Sequence, residues 1–263
     1  MQIIQDVNPI QIFNAHGLEV SGLHAATQGL NNAVWLTDSH VLRVAKNDAT
    51  NHELEARIAL HALSIGIRTA RPLHWTRAYS IWERLPGGSA RPPQQPLMVW
   101  EALLDDLERL HAHPPEAAPR VETWAQLPFP WDRPPSPAGV WDGDERLLEN
   151  DFALRLEPRE RARILELFQP HEMEKLYFLH ADAFSANIQV LNGAYIGIID
   201  WGNAQWHALE REYAWMEDGA LELALQRYPL NLDLLYAMRL ELLLKVGAYG
   251  RATWRTCGAC WLE

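Results

Sequence analysis

A polar loop followed by two apolar, strand-like runs constrains the fold of this 263-residue chain more than any other feature. Asp182 and Asn187 lie in this loop, and Asp200 ends the second apolar run. If the two runs pair through a turn at residues 191–193, Asp200 returns close to Asn187. Two carboxylates and one amide oxygen would then meet at a single cluster of loops.

Such a set of oxygen atoms suits phosphoryl transfer. Carboxylate and amide oxygens are hard ligands for Mg²⁺, and a separate carboxylate can orient an acceptor hydroxyl and take its proton. Because the protein mainly positions reactants and neutralises charge, few residues need to be special. The alternative interpretation makes the same residues ordinary turn and strand-end positions, since Asp and Asn favour turns.

The pattern His-x-Asp-x-x-x-x-Asn, followed by Ile-Asp-Trp ending at Trp201, resembles the catalytic block of the aminoglycoside phosphotransferase and choline kinase superfamily. The resemblance implies an α+β, two-lobed protein-kinase-like fold, with a small β-rich N-terminal lobe and a larger, mainly helical C-terminal lobe. It implies that Asp182 is the catalytic base. It also implies that Asn187 and Asp200 are ligands of Mg²⁺.

The same resemblance implies roles for two further residues of this region, and two others depart from the family pattern. Glu212 matches an acidic position that helps to hold the C-terminal lobe together, and His180 matches a histidine that orders the loop without doing chemistry. Ala181 stands where the family usually has glycine, and an alanine is strained there if the position requires a positive φ. Phe184, in the unusual loop after Asp182, is expected to alter the approach of the substrate.

The pattern of breakers and apolar residues divides the chain into three zones. We predict an N-terminal nucleotide-binding lobe at residues 1–85, a Pro- and Gly-rich hinge or linker at 86–96, and a C-terminal catalytic and substrate-binding lobe at 97–263. Hydrophobic periodicity predicts amphipathic helices at 52–64 and 97–111.

The hairpin predicted at residues 33–44 carries Arg43, which resembles the basic residue of the third strand that contacts the nucleotide phosphates. Glu55, on the following helix, matches the glutamate that pairs with this cation. Arginine keeps the charge of the more common lysine but differs from it in geometry, and Lys46 is a competing candidate. The alternative is that both charges are simply exposed.

Two further segments match nucleotide-binding elements of the family. Residues 28–33 correspond to the phosphate-covering turn, although they contain a single glycine and support a backbone cradle only weakly. Residues 81–87 fall where the hinge meets the nucleobase, and we expect backbone hydrogen bonds there from Glu83 and Leu85. The nucleotide is expected to be ATP, with GTP left open.

The sequence therefore predicts an ATP- and Mg²⁺-dependent phosphotransferase that acts on a hydroxyl group of a small molecule, such as an aminoglycoside-like antibiotic or an amino alcohol. Trp124, Trp131 and Trp141 could cage a cationic amine, and acidic residues such as Asp142 and Glu217 could bind it. The main alternative is a nucleotide-binding pseudokinase or regulatory module without transfer activity. A protein kinase is disfavoured because no long activation segment follows the catalytic block.

The composition of the chain disfavours some classes of binding partner. The chain has 34 acidic against 23 basic residues, a formal net charge of −11 and no lysine-rich stripe, which disfavours nucleic acid. It lacks a run of about 20 apolar residues and a signal-like start, so we expect a cytoplasmic protein without a membrane partner. Cys257 and Cys260 form a lone Cys-x-x-Cys pair, for which a redox or zinc role stays an alternative to plain reduced thiols.

Overall fold

The computed structural model describes residues 7–26, 31–47, 50–90, 95–112, 140–141, 143–149, 153, 156–173 and 175–248. Several predictions fall outside these ranges: half of the phosphate-covering turn, two of the tryptophans, one acidic residue and the cysteine pair (residues 28–30, Trp124, Trp131, Asp142, Cys257 and Cys260). No helix within the described ranges is long and apolar enough to span a membrane.

The N-terminal part of the chain is a five-stranded antiparallel sheet with the order β1-β2-β3-β5-β4. Its strands are β1 His24–Ala25, β2 Asn32–Leu36, β3 His40–Ala45, β4 Pro72–Trp75 and β5 Tyr79–Glu83. The predicted hairpin is confirmed as the β2–β3 pair. Helix α1 (Pro9–Ala15) covers one face, where Phe13 packs against apolar side chains of β3 and β5.

Helix α2 (His52–Ser64) lies in the chain between β3 and β4 and packs against the remaining core. It begins where the side chain of Asn51 accepts a hydrogen bond from the Leu54 N–H, which satisfies one of the free donors of the first turn. Its small and branched apolar residues recur on one side and are buried, namely Ala56, Ile58, Ala59 and Ala62. The predicted helix at 52–64 is confirmed.

The C-terminal part is mainly helical, with helices α3 Leu97–His111, α4 Pro158–Leu167, α5 Glu210–Tyr213, α6 Asp218–Arg227 and α7 Leu232–Ala248. Helix α3 agrees with the predicted helix at 97–111, because four of its leucines recur at helical spacing and are fully buried, namely Leu103, Leu104, Leu107 and Leu110. Two short pairs complete this part: β7 Val140–Trp141 with β8 His171–Glu172, and β9 Tyr177–Leu179 with β12 Gln205–His207.

A three-stranded sheet with the order β11-β10-β6 carries the polar loop of the sequence analysis. Its strands are β6 Gly88–Ser89, β10 Ile188–Leu191 and β11 Ala194–Ile198. Asn192 and Gly193 connect β10 to β11 with φ angles of 51° and 76°, as a two-residue hairpin turn requires. This confirms the predicted pairing. Strand β6 lies inside the predicted linker, and the lobe boundaries at 85 and 97 stay predictions.

Strand β11 also binds the N-terminal part directly. The Ile198 N–H donates to the Arg68 carbonyl at 2.9 Å, and Thr69 forms a parallel β-bridge with Ile198. Gly197 makes this approach possible, since a Cβ atom there would lie 2.9 Å from the Arg68 carbonyl oxygen and 3.0 Å from Leu85 Cδ1. The hairpin that ends at Asp200 is therefore fixed against the segment between α2 and β4 of the N-terminal part.

Candidate active site

The ends of the β10–β11 hairpin bring the predicted acidic and amide residues together. The Ile199 N–H donates to the Asn187 carbonyl at 2.9 Å, which places Asp200 beside the loop that contains Asp182. The Asn187 side-chain amide nitrogen, Nδ2, donates to both the main-chain oxygen and the carboxylate Oδ2 of Asp182, each at 3.0 Å. This arrangement leaves the Asn187 Oδ1 oxygen for another ligand.

Asp182 has the electrostatic properties of a base that works near neutral pH. Burial raises its pKa to about 7, and the negative charge of Asp200 adds to this shift. Hydrogen bonds from Asn203 and Asn187 act in the opposite direction, because they stabilise the ionised form. A carboxyl group with this pKa can accept a proton at physiological pH and release it again.

Arg43, on β3, joins the N-terminal sheet to the β10–β11 hairpin. Its guanidinium binds the carboxylate of Glu55, which is almost fully buried, and its Nη2 atom lies 3.0 Å from Asp200 Oδ1. Burial raises the pKa of Asp200, but the charge and hydrogen bond of Arg43 outweigh this effect, so the pKa lies below its usual value. The side chain of Lys46 is exposed. Of the two candidate cations, Arg43 is thus the one held in the cluster.

Glu212 supports the polar loop through hydrogen bonds to the main chain at the start of the loop. Its fully buried carboxylate accepts hydrogen bonds from the N–H groups of His180 at 2.8 Å and Ala181 at 3.1 Å. His111 Nε2 lies 3.3 Å from the same carboxylate. The expectation that Glu212 helps to hold this lobe together thus has a physical basis, because the carboxylate satisfies two backbone donors at the start of the loop.

His180 orders the loop through both ring nitrogens. Its Nε2–H donates to the Ile199 carbonyl at 3.1 Å, and its Nδ1 accepts from the Asp182 N–H at 3.3 Å. Burial lowers the pKa of His180, so the ring stays neutral, as this donor and acceptor pattern requires. His180 therefore connects the strand end before Asp200 to the main chain of Asp182.

Ala181 has a φ of 60°, in the left-handed region that glycine adopts without strain. We expect Ala181→Gly to stabilise the protein by up to about 1 kcal/mol, because the strain of a Cβ atom in this region exceeds the entropy that glycine adds to the unfolded chain. Urea unfolding measures the difference. Ala162→Gly, the same replacement at an exposed interior position of helix α4, should destabilise by about 0.5–1 kcal/mol. Equal losses for both variants would contradict the expectation.

One of the backbone groups predicted to bind the nucleobase already forms a hydrogen bond within the protein. The Glu83 N–H donates to the Arg71 carbonyl at 2.9 Å, so it is not available to a nucleobase, and its side chain is exposed. Leu85 lies beyond the end of β5, and its N–H and C=O groups make no backbone hydrogen bond within the described ranges. The hinge prediction therefore narrows to the Glu83 carbonyl and the main chain of Leu85.

Sequence reasoning missed two neighbours of the polar loop. Asn203 Nδ2 donates to Asp182 Oδ2 at 3.0 Å, and its only sequence cue is its place three residues after Asp200. Glu217 was considered only for ammonium binding, but its Oε1 accepts from the Ser185 N–H at 2.9 Å. Its Oε2 is buried without a hydrogen-bond partner among the described residues.

The residues present fit a magnesium ion. Asn187 Oδ1 and the Asp200 carboxylate are hard oxygen donors at the two ends of one hairpin, and the low pKa of Asp200 keeps it ionised. The described residues contain no cluster of three or more His, Cys, Asp or Glu side chains of the kind that would hold a metal alone. A Mg²⁺ ion that shares its remaining ligands with phosphates and water needs no such cluster.

A β-rich lobe, a helical lobe and a carboxylate–amide cluster beside the arginine of β3 define the class of phosphotransferases with a protein-kinase-like fold. The sequence model of the phosphotransferase enzyme family (APH) matches residues 23–223. The chain belongs to this family, and it is a phosphotransferase enzyme. No curated protein matches the sequence significantly.

Solved structures agree with this fold. A macrolide 2′-phosphotransferase from Brachybacterium faecium, MphH, is 18% identical, with 96% of this chain and 97% of that chain covered and a TM-score of 0.61. A spectinomycin phosphotransferase, APH(9)-Ia, in complex with ADP and spectinomycin, is 14% identical, with coverage of 95% and 91% and a TM-score of 0.64. An aminoglycoside phosphotransferase, APH(4)-Ia, is 16% identical, with coverage of 95% and 94% and a TM-score of 0.60. The chain thus has the two-lobed kinase-like fold.

Proposed function

We propose that this enzyme transfers the γ-phosphate of ATP, with Mg²⁺, to a hydroxyl group of a small molecule that carries an amine. The observation that carries this proposal is the cluster itself. Arg43, held by Glu55, contacts Asp200, and Asn187 contacts Asp182, with Asn187 and Asp200 at the two ends of the same hairpin. In this proposal one triphosphate is bound by the cation and by an ion held at these two oxygens, next to the base.

In this proposal Asp182 acts on the acceptor. Its Oδ1 oxygen accepts the hydroxyl proton as the acceptor oxygen bonds to the γ-phosphorus, and the bond from that phosphorus to the leaving oxygen of ADP breaks. The carboxyl group later releases the proton to water. Its pKa of about 7 makes both events accessible at neutral pH.

The remaining residues hold the nucleotide. Asn187 Oδ1 and the Asp200 carboxylate would hold Mg²⁺, which would supply positive charge to neutralise that of the phosphates. The Arg43 guanidinium, kept in one orientation by the buried Glu55, adds a fixed positive charge beside them. The Glu83 carbonyl and the main chain of Leu85 would bind the nucleobase. Similar folds that are solved with ATP or ADP support a nucleotide as donor.

An amine on the acceptor is supported by the groups that follow Asp182. The rings of Phe184 and Trp215 lie 6.1 Å apart, and Glu217 reaches the same loop through Ser185. The buried Oε2 of Glu217, which has no hydrogen-bond partner among the described residues, can accept a hydrogen bond from an ammonium group that enters there, and aromatic faces attract cations. The solved structures with streptomycin, gentamicin and spectinomycin support an antibiotic or amino alcohol as the acceptor class.

The pH dependence follows from the raised pKa of Asp182. We expect log(kcat/KM) to rise with a slope of one up to about pH 7 and then to level, because only ionised Asp182 accepts the proton. The midpoint for kcat should lie lower, since bound cations favour the ionised form. The measurement uses an acceptor without a group that titrates between pH 5 and 9. A kcat/KM that stays constant down to pH 5 would contradict the assignment.

The direct test is phosphate transfer from labelled ATP to a panel of aminoglycosides, macrolides and amino alcohols, with Mg²⁺ and with excess chelator. We expect a phosphorylated acceptor only with Mg²⁺. The Asp182→Asn variant should form it about 10²–10⁴-fold more slowly, and Asp233→Asn, an exposed aspartate of α7, should match the wild type. Tight ATP binding without transfer to any acceptor would favour the regulatory module instead.

A further inference from the structure

The carboxylate of Asp182 is held on one side. Two amide nitrogens, Nδ2 of Asn187 and Nδ2 of Asn203, converge on its Oδ2 oxygen at 3.0 Å each. No hydrogen bond to its Oδ1 oxygen is found within the described ranges. A carboxylate bound through one oxygen by two donors has a defined orientation, and the other oxygen is left for an incoming hydroxyl group.

From this geometry we propose that Asn203 is a positioning residue for Asp182. It fixes Oδ2 so that Oδ1 faces the acceptor hydroxyl throughout the transfer step. The inference rests on the proposed function, since it assigns Asn203 a part in the same reaction. Asn203 itself contacts neither acceptor nor nucleotide in this account; it acts through the base.

Asn187 cannot do this alone, because its side chain has two tasks. Its Nδ2 atom is shared between the main-chain oxygen and the carboxylate of Asp182, and its Oδ1 is assigned to the metal. Any adjustment of Asn187 on metal binding would move its shared donor. Among the residues that the structure describes, the Asn203 side chain hydrogen-bonds to Asp182 alone, and it therefore gives the base a support that does not depend on the metal.

The position of Asn203 is fixed by the turn that also carries Asp200. Asp200 adopts a left-handed conformation with a φ of 70°, and residues Trp201–Asn203 form one turn of 3-10 helix directly after it. The buried Trp201 anchors this turn, because its Nε1 donates to Thr69 Oγ1 at 2.9 Å and its ring meets the edge of His180. One anchored turn thus presents a metal ligand at its start and a support for the base at its end.

Steady-state kinetics of Asn203→Ala and Asn203→Asp test the proposal. Asn203 is exposed, so neither change leaves a buried unpaired group, and both variants should fold as the wild type does. We expect kcat to fall about tenfold or more in both, as the loss of a hydrogen bond to a charged group predicts, with each KM within threefold. Asn203→Asp keeps the shape of the side chain but loses the donor and brings a second negative charge to Asp182. Asn203→Ala removes the donor without adding a charge, so its kcat decides the positioning role. Asn14→Ala, an exposed asparagine of α1, is the control.

A kcat within twofold of wild type in either variant, or a loss carried by the KM of the acceptor, would overturn the proposal. Crystal structures of the wild type and of Asn203→Ala decide the same point without an acceptor. We expect the Asp182 carboxylate to lose its single orientation in the variant, whereas an unchanged orientation would overturn the inference. If the wild type transfers phosphate to no acceptor, the proposed function fails, and this structural comparison still decides the positioning role.

Discussion

Asp182→Asn is expected to lower kcat by about 10²–10⁴-fold, because a general base contributes this much and the amide cannot accept the hydroxyl proton. The side chain keeps its size, and its oxygen can still accept hydrogen bonds from Asn187 and Asn203. Nucleotide affinity should change little, since the proposed phosphate and metal contacts come from other residues. Single-turnover transfer and ATP-analogue binding, measured on the same preparation, separate the two effects.

The same variant should be more stable than the wild type at neutral pH. The pKa of Asp182 is raised to about 7 in the folded state from 3.8, so the unfolded chain loses this proton first as the pH rises. Stability from this group is therefore present below pH 4 and is lost as the pH rises to about 7. We expect Asp182→Asn to gain about 1 kcal/mol or more at pH 7.5 and little at pH 4. Wild-type turnover, or a variant that is less stable at pH 7.5, would contradict the role and environment assigned to Asp182.

Glu212→Ala should destabilise the protein by about 2–5 kcal/mol. The change leaves the buried N–H groups of His180 and Ala181 without an acceptor, and each unpaired group costs about 1–3 kcal/mol. Urea unfolding at pH 7.5 measures the free energy of unfolding. Because these groups begin the loop that carries Asp182, kcat should fall as well.

Two variants complete this test. Glu212→Gln keeps one acceptor oxygen, so its loss should lie between those of wild type and Glu212→Ala. Glu222→Ala removes an exposed carboxylate of α6 and should change stability by less than about 0.5 kcal/mol. Equal effects of Glu212→Ala and Glu222→Ala would show that the buried carboxylate does not support the loop.

The elements that the sequence predicts well are those governed by local patterns. The bounds of α2 and α3 follow from apolar residues at helical spacing, and the β10–β11 hairpin follows from an Asn-Gly pair between apolar runs. Strand β6 could not be predicted in this way, because it consists of two residues that pair only with β10. Gly87 permits this pairing, with a φ of 89° and no room for a Cβ atom beside the Val190 carbonyl.

In the candidate site, too, local sequence patterns predict only the residues that lie close together in the chain. Asp182, Asn187 and Asp200 are recognisable from their spacing, since a hairpin brings them together over a short stretch of chain. The contact of Arg43 with Asp200 joins residues that are 157 positions apart, so only the packing of the two lobes reveals it. The support from Asn203 depends on a left-handed residue at Asp200 and a short turn, neither of which a single sequence indicates.

A crystal structure with Mg²⁺ and a non-hydrolysable ATP analogue would show whether the ends of the β10–β11 hairpin hold the metal and the triphosphate. We expect oxygens of Asn187 and Asp200 about 2.0–2.1 Å from an ion that also binds the phosphates. We also expect Asp182 Oδ1 to face the open side of the γ-phosphate under the proposed mechanism. An ion bound by other residues, or a triphosphate bound away from Arg43, would contradict it.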